Sequence, residues 1–112
     1  MPINTSGITL SDRVKELSYT GGVGNFSLGG AAQGFSDFST LYSSGDVVFY
    51  AITDGIDYEV GSGIYRTVIG AEDQLERFSF ASTNSDAKVN FPLSTVKEVF
   101  VTYPADFSVY TA

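Results

Sequence analysis

The segment at residues 50–65, YAITDGIDYEVGSGIY, holds the densest group of side chains that could perform chemistry in this sequence. Its three carboxylates are Asp54, Asp57 and Glu59, and hard cations such as Ca²⁺ take several oxygen ligands of this kind. The spacing does not follow the ligand order of an EF-hand loop, and Asp57 and Glu59 would share a strand face away from the tip of a hairpin. We therefore expect a solvated acidic hairpin and no metal site.

The same segment could form two further kinds of site. Tyr50, Tyr58 and Tyr65, together with the nearby carboxylates, could form a carbohydrate-binding surface, because sugars stack on aromatic faces. In a chain without Trp, however, tyrosines at strand positions more often fill the core and keep a wet hydroxyl end. Asp57 and Glu59 could also act as a hydrolytic carboxylate pair, but the separation on which that mechanism depends is invisible in a sequence.

The amino-acid composition excludes most other kinds of catalysis and metal binding. The 112 residues include neither His nor Cys, which excludes disulfides, thiolate catalysis, Ser-His-Asp hydrolysis and most transition-metal sites. The formal charge of −7 and the scattered Lys and Arg residues argue against binding to nucleic acid or anionic membranes. No segment approaches the ~20 apolar residues of a membrane span, and the N-terminus lacks the pattern of a signal peptide. We expect a protein without enzymatic activity or cofactor.

The elements that must position these residues are strands. Period-2 alternation and β-branched or aromatic runs predict them at residues 24–30, 46–53, 74–83 and 97–103, the last ending before Pro104 with Val99, Val101 and Tyr103 on one face. Residues 13–22 are predicted to be extended, because their helical pattern is too short to be stable. The fold predicted is all-β, a single antiparallel sandwich or small barrel. Its domain covers residues 12–105, between an N-terminal arm at 1–11 and a C-terminal tail at 106–112.

Asp54-Gly55 predicts the geometry of one hairpin. Asp-Gly between two strand-forming runs is a strong signal for a two-residue type I′ turn, in which both residues take positive φ. The resulting register would pair Thr53 with Ile56, Ala51 with Tyr58, and Phe49 with Val60.

An ordered series of short motifs covers nearly the whole chain. The motifs are DRVKE (12–16), GNFSLGGAAQGFSDFS (24–39), GDVVFYAI (45–52), YEVGSGIY (58–65), ASTNSDAKVNF (81–91) and KEVFVTYPA (97–105). The series resembles a small domain of tailed-phage virion proteins, prominent in cyanophages, with a typical order of DRVKE, a glycine-rich GFxxF segment, WEVGxGxY and VFxTYPA. Tyr58 stands where that family usually has Trp, and RFSF (77–80) and PLSTVKEV (92–99) also depart from the pattern.

The resemblance implies a structural part of the virion, made in the host cytoplasm and without a catalytic group. The expected function is capsid decoration or an adaptor role on the particle surface, with other capsid or tail proteins as partners. The alternative is a tail-fibre or baseplate module that binds a host receptor or glycan.

The C-terminal tail is the predicted partner-binding element. Phe107, Val109 and Tyr110 follow Pro104, and a solvated tail has no need of three bulky apolar side chains. They either pack back on the core of the same chain or add a strand to a neighbouring subunit. Self-association through such ends would close into a symmetric oligomer such as a trimer.

Overall fold

The fold is nearly all-β. The computed structural model describes residues 3–5, 8–10 and 13–102, with the backbone alone for the first two ranges. Its strands are β1 (Ile3–Thr5), β2 (Ile8–Leu10), β3 (Lys15–Ser18), β4 (Phe26–Ser27), β5 (Val47–Thr53), β6 (Tyr58–Arg66), β7 (Gln74–Ser82) and β8 (Lys97–Val101). One short helix, α1 (Phe38–Leu41), lies between β4 and β5.

Six strands form an antiparallel sheet that curls into a nearly closed barrel. Their order is β3-β8-β5-β6-β7-β4. The chain just after β4 returns to β3, where the Leu17 amide donates to the Gly30 carbonyl at 2.9 Å and the Gly29 amide donates to the Leu17 carbonyl at 2.7 Å. The predicted all-β fold is therefore confirmed, as a sheet nearly closed into a barrel.

The predicted arm at residues 1–11 carries the first hairpin. β1 pairs antiparallel with β2, and β2 adjoins the start of β5 in parallel through Ile8 and Val47. The N-terminal segment thus extends the sheet at the end of the barrel where β5 begins.

The predicted strands lie where expected, although only Phe26–Ser27 of the predicted segment 24–30 forms a strand, β4. β5, β7 and β8 occupy the three long strand-forming segments. Within residues 13–22, Lys15–Ser18 forms the strand β3 as predicted, whereas Arg13 and Gly22 have positive φ and are not extended. β8 ends at Val101, while Tyr103 and Pro104 lie outside the described residues. The helix α1 was not predicted, since it spans four residues and depends on Asp37, whose Oδ1 accepts from the Thr40 amide at 3.0 Å.

The predicted hairpin exists, but its turn type and register are wrong. Thr53 pairs with Tyr58 rather than with Ile56, so the loop has four residues, 54–57, and every pair is shifted by two. Gly55 has a φ of +92° while Asp54 does not have a positive φ. Asp54 Oδ1 instead accepts from the amides of Ile56 at 3.0 Å and Asp57 at 2.9 Å. This side-chain turn replaces the two-residue turn, and a shift of two keeps each side chain on its predicted face.

The core lies inside the barrel and under α1. Phe26 meets Phe91 edge-on, with ring centroids 5.6 Å apart. Phe38 of α1 stacks on Tyr65 with centroids 6.0 Å apart. Because all four side chains are buried, α1 covers the end of the barrel where β6 finishes.

Candidate functional site

A buried ion pair occupies the interior of the barrel. Glu59, Gly61, Gly63 and Tyr65 alternate toward the inside along β6, and Arg77 points inward from β7. Arg77 Nη2 lies 2.5 Å from Glu59 Oε1, and Arg77 Nε donates to Glu59 Oε2 at 3.1 Å. Both side chains are 0% exposed, so the pair is bidentate and shielded from solvent.

Every N–H of the Arg77 guanidinium has an acceptor. Besides the two bonds to Glu59, Arg77 donates to the carbonyls of Gly22 at 3.1 Å, Gly24 at 3.0 Å and Val89 at 2.8 Å, which accounts for all five donors of the side chain. The guanidinium also lies 4.4 Å from the ring centroid of Phe26. The pair therefore joins β6 and β7 to two loops, which is a structural role.

Glu59 has two more donors on its carboxylate. The Tyr50 hydroxyl donates to Oε2 at 2.5 Å and the Val89 amide donates to Oε1 at 2.8 Å. Burial and the adjacent carboxylate raise the pKa of the Tyr50 phenol well above its usual range. Tyr50 thus stays a neutral donor at physiological pH.

The glycines of the EVGSGIY segment make room for the Tyr50 ring. A Cβ on Gly63 would lie 2.6 Å from the Glu76 carbonyl oxygen and 3.1 Å from Tyr50 Cδ2. A Cβ on Gly61 would lie 2.1 Å from the Phe78 carbonyl oxygen and 2.9 Å from Tyr50 Oη. The ring of Tyr50 therefore crosses β6 where the interior side chains are missing.

The three tyrosines named as a carbohydrate surface do not form one. Tyr50 and Tyr65 are fully buried, and only Tyr58 is exposed, at 47%. The Tyr65 hydroxyl donates to Asp73. Tyr50 and Tyr65 lie in the core, as expected for tyrosines at strand positions.

The three carboxylates of the hairpin also have separate environments. Glu59 is buried rather than solvated, which corrects the expectation for this residue. Asp54 accepts from the amides of its own turn, and Asp57 Oδ1 accepts from the Thr83 hydroxyl at 2.9 Å. Among the described residues, no group of three or more acidic side chains is arranged to hold a metal ion.

Glu16 is a second buried carboxylate that sequence reasoning missed. Its Oε1 accepts from the Gly30 amide at 2.9 Å and its Oε2 accepts from the Phe38 amide at 2.8 Å. Burial raises the pKa of Glu16, and these two hydrogen bonds oppose that rise. Glu16 therefore fixes the loop between β4 and α1 against β3.

Lys97 is a buried cation without a hydrogen-bond acceptor. It alternates with Val99 on the inner face of β8, and its Nζ is the one buried side-chain nitrogen or oxygen without a partner in the described part of the chain. Burial lowers the pKa of Lys97, while the charge of Asp54 opposes this effect. The period-2 position of Lys97 relative to Val99 was the sequence signal for its burial.

The exposed apolar side chains gather at one end of the barrel. We define the loop end as the turn 54–57 with its neighbour Tyr58, and the segments 19–24 and 83–96, all of which leave the barrel on the same side. Of nine large apolar side chains exposed in the described residues, six lie here: Tyr19, Val23, Ile56, Tyr58, Leu93 and Val96. The exceptions are Val68 and Ile69 at the opposite end and Phe78 on the barrel wall.

The loops of this end contact one another. The Gly22 amide donates to the Phe91 carbonyl at 2.9 Å, and the Thr95 hydroxyl donates to Asp54 Oδ2 at 3.3 Å. The loop end is therefore one connected surface, with Ile56 and Leu93 about four-fifths exposed. This surface is the candidate site for docking.

No known family model, curated protein or solved structure matches this chain. Within residues 3–5, 8–10 and 13–102, no helix is long and apolar enough to cross a membrane. The tail residues Phe107, Val109 and Tyr110, predicted to bind a partner, lie outside the described residues.

Proposed function

We propose that this protein is a non-enzymatic structural component of a bacteriophage particle, a capsid decoration or adaptor protein that docks through its loop end. The observation that carries the proposal is the concentration of exposed apolar side chains at that end of the barrel. Exposed apolar side chains gathered at one end of a domain, rather than scattered singly, are typical of interaction sites. The ordered motifs shared with tailed-phage virion domains supply the class of particle.

The ionisable groups inside the barrel support a structural rather than a catalytic role. Glu59 and Arg77 satisfy one another and the backbone, and Glu16 accepts from two backbone amides. A general acid or base needs access to its substrate, and these buried groups have none. The interior of the barrel thus serves stability, and function belongs to the surface.

Location on the particle tests the proposal directly. Antibodies against the protein, used for immunogold labelling of purified phage, should label the capsid surface in a regular pattern. Absence of the protein from particles would refute the proposal.

A paired substitution tests the loop end. Replacing Leu93 and Val96 with Ser should lower occupancy on particles, because both side chains would be buried in the contact. The matched control replaces Val68 and Ile69 with Ser, which removes similar exposed apolar groups from the opposite end. Equal occupancy for both variants would show that the loop end is not the docking surface.

A receptor- or glycan-binding role in a tail fibre or baseplate is the second candidate. The observation that favours it is the exposure of Tyr19 and Tyr58 at the loop end, at 58% and 47%, because exposed aromatic rings can stack on sugars. Immunogold label at the tail tip, together with saturable binding on a glycan array, would support this role over capsid decoration.

A further inference from the structure

A groove runs along the loop end beside the turn 54–57. Its volume is about 270 Å³, just below the ~300–1,000 Å³ of small-molecule sites and suited to one long side chain. Its walls come from β3, from the end of β5 with its turn, and from the start of β8: Leu17, Thr53, Asp54, Gly55, Val96 and Glu98.

The groove combines an apolar lining with two carboxylates. Leu17 and Val96 supply the apolar side chains, and Asp54 and Glu98 supply the charge. The amide of Asp57 hydrogen-bonds the Asp54 carboxylate and, with further hydrogen bonds, lowers its pKa, which keeps it ionised at neutral pH. The ligand expected from this lining is a cation on an aliphatic stem.

Both carboxylates keep room for another donor. Asp54 Oδ2 accepts only from the Thr95 hydroxyl, at 3.3 Å, among the described residues. Glu98 Oε1 lies 3.4 Å from Lys15 Nζ, its side chain is 48% exposed, and its Oε2 accepts no hydrogen bond within residues 13–102. A guanidinium or ammonium group placed between them would therefore find acceptors on both sides.

We propose that the groove binds an arginine or lysine side chain of the protein on which the loop end docks. The methylene stem would cover Leu17 and Val96, and the charged head would meet Asp54 and Glu98, as long basic side chains do at apolar surfaces. This inference rests on the proposed function for the class of partner. The net charge of −7 favours a basic partner surface over a second copy of the same chain.

Val96 connects the groove to the rest of the loop end. It is 48% exposed and belongs both to the groove wall and to the apolar surface. The partner surface that fits the loop end has a basic side chain flanked by apolar ones. The basic side chain would be the anchor in the groove, and the apolar contacts around it would exclude water.

Binding of acetyl-arginine amide, followed by NMR on the whole chain, tests the groove. We expect saturable shifts of the amide signals of Leu17, Gly55, Val96 and Glu98. Acetyl-citrulline amide, which has the same shape without the charge, should cause no such shifts. Equal shifts with both compounds, or no saturable shift with either, would overturn the inference.

Two single substitutions assign the effect to Glu98. Glu98→Gln should weaken binding of acetyl-arginine amide by about two- to fivefold, the range expected for one exposed ion pair. Glu76→Gln is the matched control, because Glu76 forms a similar surface pair with Arg66 at 2.9 Å on the neighbouring strands. Lys15→Gln should leave binding unchanged or tighten it, since Lys15 competes for Glu98. Equal weakening by Glu98→Gln and by Glu76→Gln would overturn the assignment.

Particle occupancy separates this inference from the proposed function. If the Glu98→Gln protein occupies particles as well as the unaltered protein and acetyl-arginine amide fails to bind, the groove inference is wrong and the virion role stands. If acetyl-arginine amide binds the groove but particles lack the protein, the virion role fails while the site remains. Self-association that Glu98→Gln abolishes in sedimentation would identify a second copy as the occupant and overturn the choice of partner.

Discussion

At the scale of single residues, the Arg77–Glu59 pair is the most demanding feature of the barrel. Transfer of two charges from water to a dry interior costs several kcal/mol per ion, and only good geometry with extra hydrogen bonds repays it. Here the five N–H groups of Arg77 and both oxygens of Glu59 are satisfied.

Arg77→Met should lower the free energy of unfolding by about 3–5 kcal/mol, because Glu59 would be left buried without its counter-charge. Urea denaturation followed by circular dichroism measures the change. Arg66→Met is the control, since its pair with Glu76 is exposed and should contribute less than about 1 kcal/mol. Similar losses in the two variants would contradict the structural role assigned to Arg77.

Removal of the buried charge of Lys97 should have the opposite effect on stability. Its buried Nζ has no acceptor in the described residues, so Lys97→Met should raise stability at pH 7 by about 1–3 kcal/mol, the usual cost of an unsatisfied buried polar group. A thermal melt measures the change, and Lys88→Met, at an exposed position of the loop end, is the control.

The same residue also gives the stability of the protein a pH dependence. Burial places the folded pKa of Lys97 below its ordinary value of 10.5, so between the two pKa values the unfolded chain holds more protons than the folded one. The contribution of Lys97 to stability therefore rises as pH increases toward 10 and is lost as pH falls. The Lys97→Met protein should lack this part of the rise, and identical slopes for both proteins as pH approaches 10.5 would refute it.

At the scale of elements, the glycines of β6 are explained by the space that neighbouring residues occupy. Gly61 and Gly63 alternate with outward residues so that the Tyr50 ring crosses the inner face of β6 and reaches Glu59. Central strands normally disfavour glycine, because it adds entropy to the unfolded state and packs no side chain. Close approach of a neighbouring ring and carbonyl oxygens explains the glycines here.

Gly63→Ala should therefore destabilise the protein, by about 1–3 kcal/mol as in other overpacked cores. Gly24→Ala is its matched control, because a Cβ at Gly24 meets nothing within 4 Å and its φ is not positive. We expect Gly24→Ala to be neutral or to stabilise by up to about 1 kcal/mol. Chemical denaturation of both variants is the measurement, and unchanged stability in the Gly63→Ala protein would contradict the packing described for Tyr50.

The turn 54–57 makes an element-scale prediction about backbone conformation. Gly55 has a φ of +92° in open space, so Gly55→Val should cost on the order of 1–2 kcal/mol through backbone strain alone. Gly55→Asn should be tolerated better, since Asn adopts positive φ more readily. The melting temperature separates the two, and an unchanged value for the Val variant would exclude this turn.

At the scale of the whole molecule, the buried charged groups and the proposed docking surface occupy different places. The barrel buries the Glu59–Arg77 pair, Glu16 and Lys97, while most of the exposed apolar side chains collect at the loop end. A partner covering the loop end would leave the other end, closed by α1, and the barrel wall free. Such an arrangement suits a part that is stable alone and presents one face for assembly.

The C-terminal tail belongs to this scale, because the role predicted for it concerns assembly. Truncation after Ala105 removes Phe107, Val109 and Tyr110 and should leave the β-fold intact by circular dichroism while abolishing oligomerisation or incorporation into particles. A full-length variant with Ser at these three positions controls for length. Failure to fold would assign the tail to the core, and wild-type incorporation would show that it does not dock.

Local pattern by itself determined most of the strand content of this protein and the alternation of faces along β6 and β8. Composition determined the absence of imidazole and thiol chemistry. In β7 the alternation is interrupted by a register shift that local pattern did not predict. Alternation with a period of two depends only on neighbours in the chain, which is why β5, β7 and β8 were predictable. It also kept the faces of the β5–β6 hairpin correct when the register shifted by two residues.

Only the tertiary structure determined which residues contact one another. From the sequence alone, Glu59 is expected to be a solvated acid, but in the folded protein Arg77, 18 residues away in the chain, lies beside it. Lys97 and Glu16 become buried only when the barrel closes around them. Register, closure and the meeting of loops at one end arise from contacts distant in sequence, whose free energy depends on the whole assembled core rather than on any local propensity.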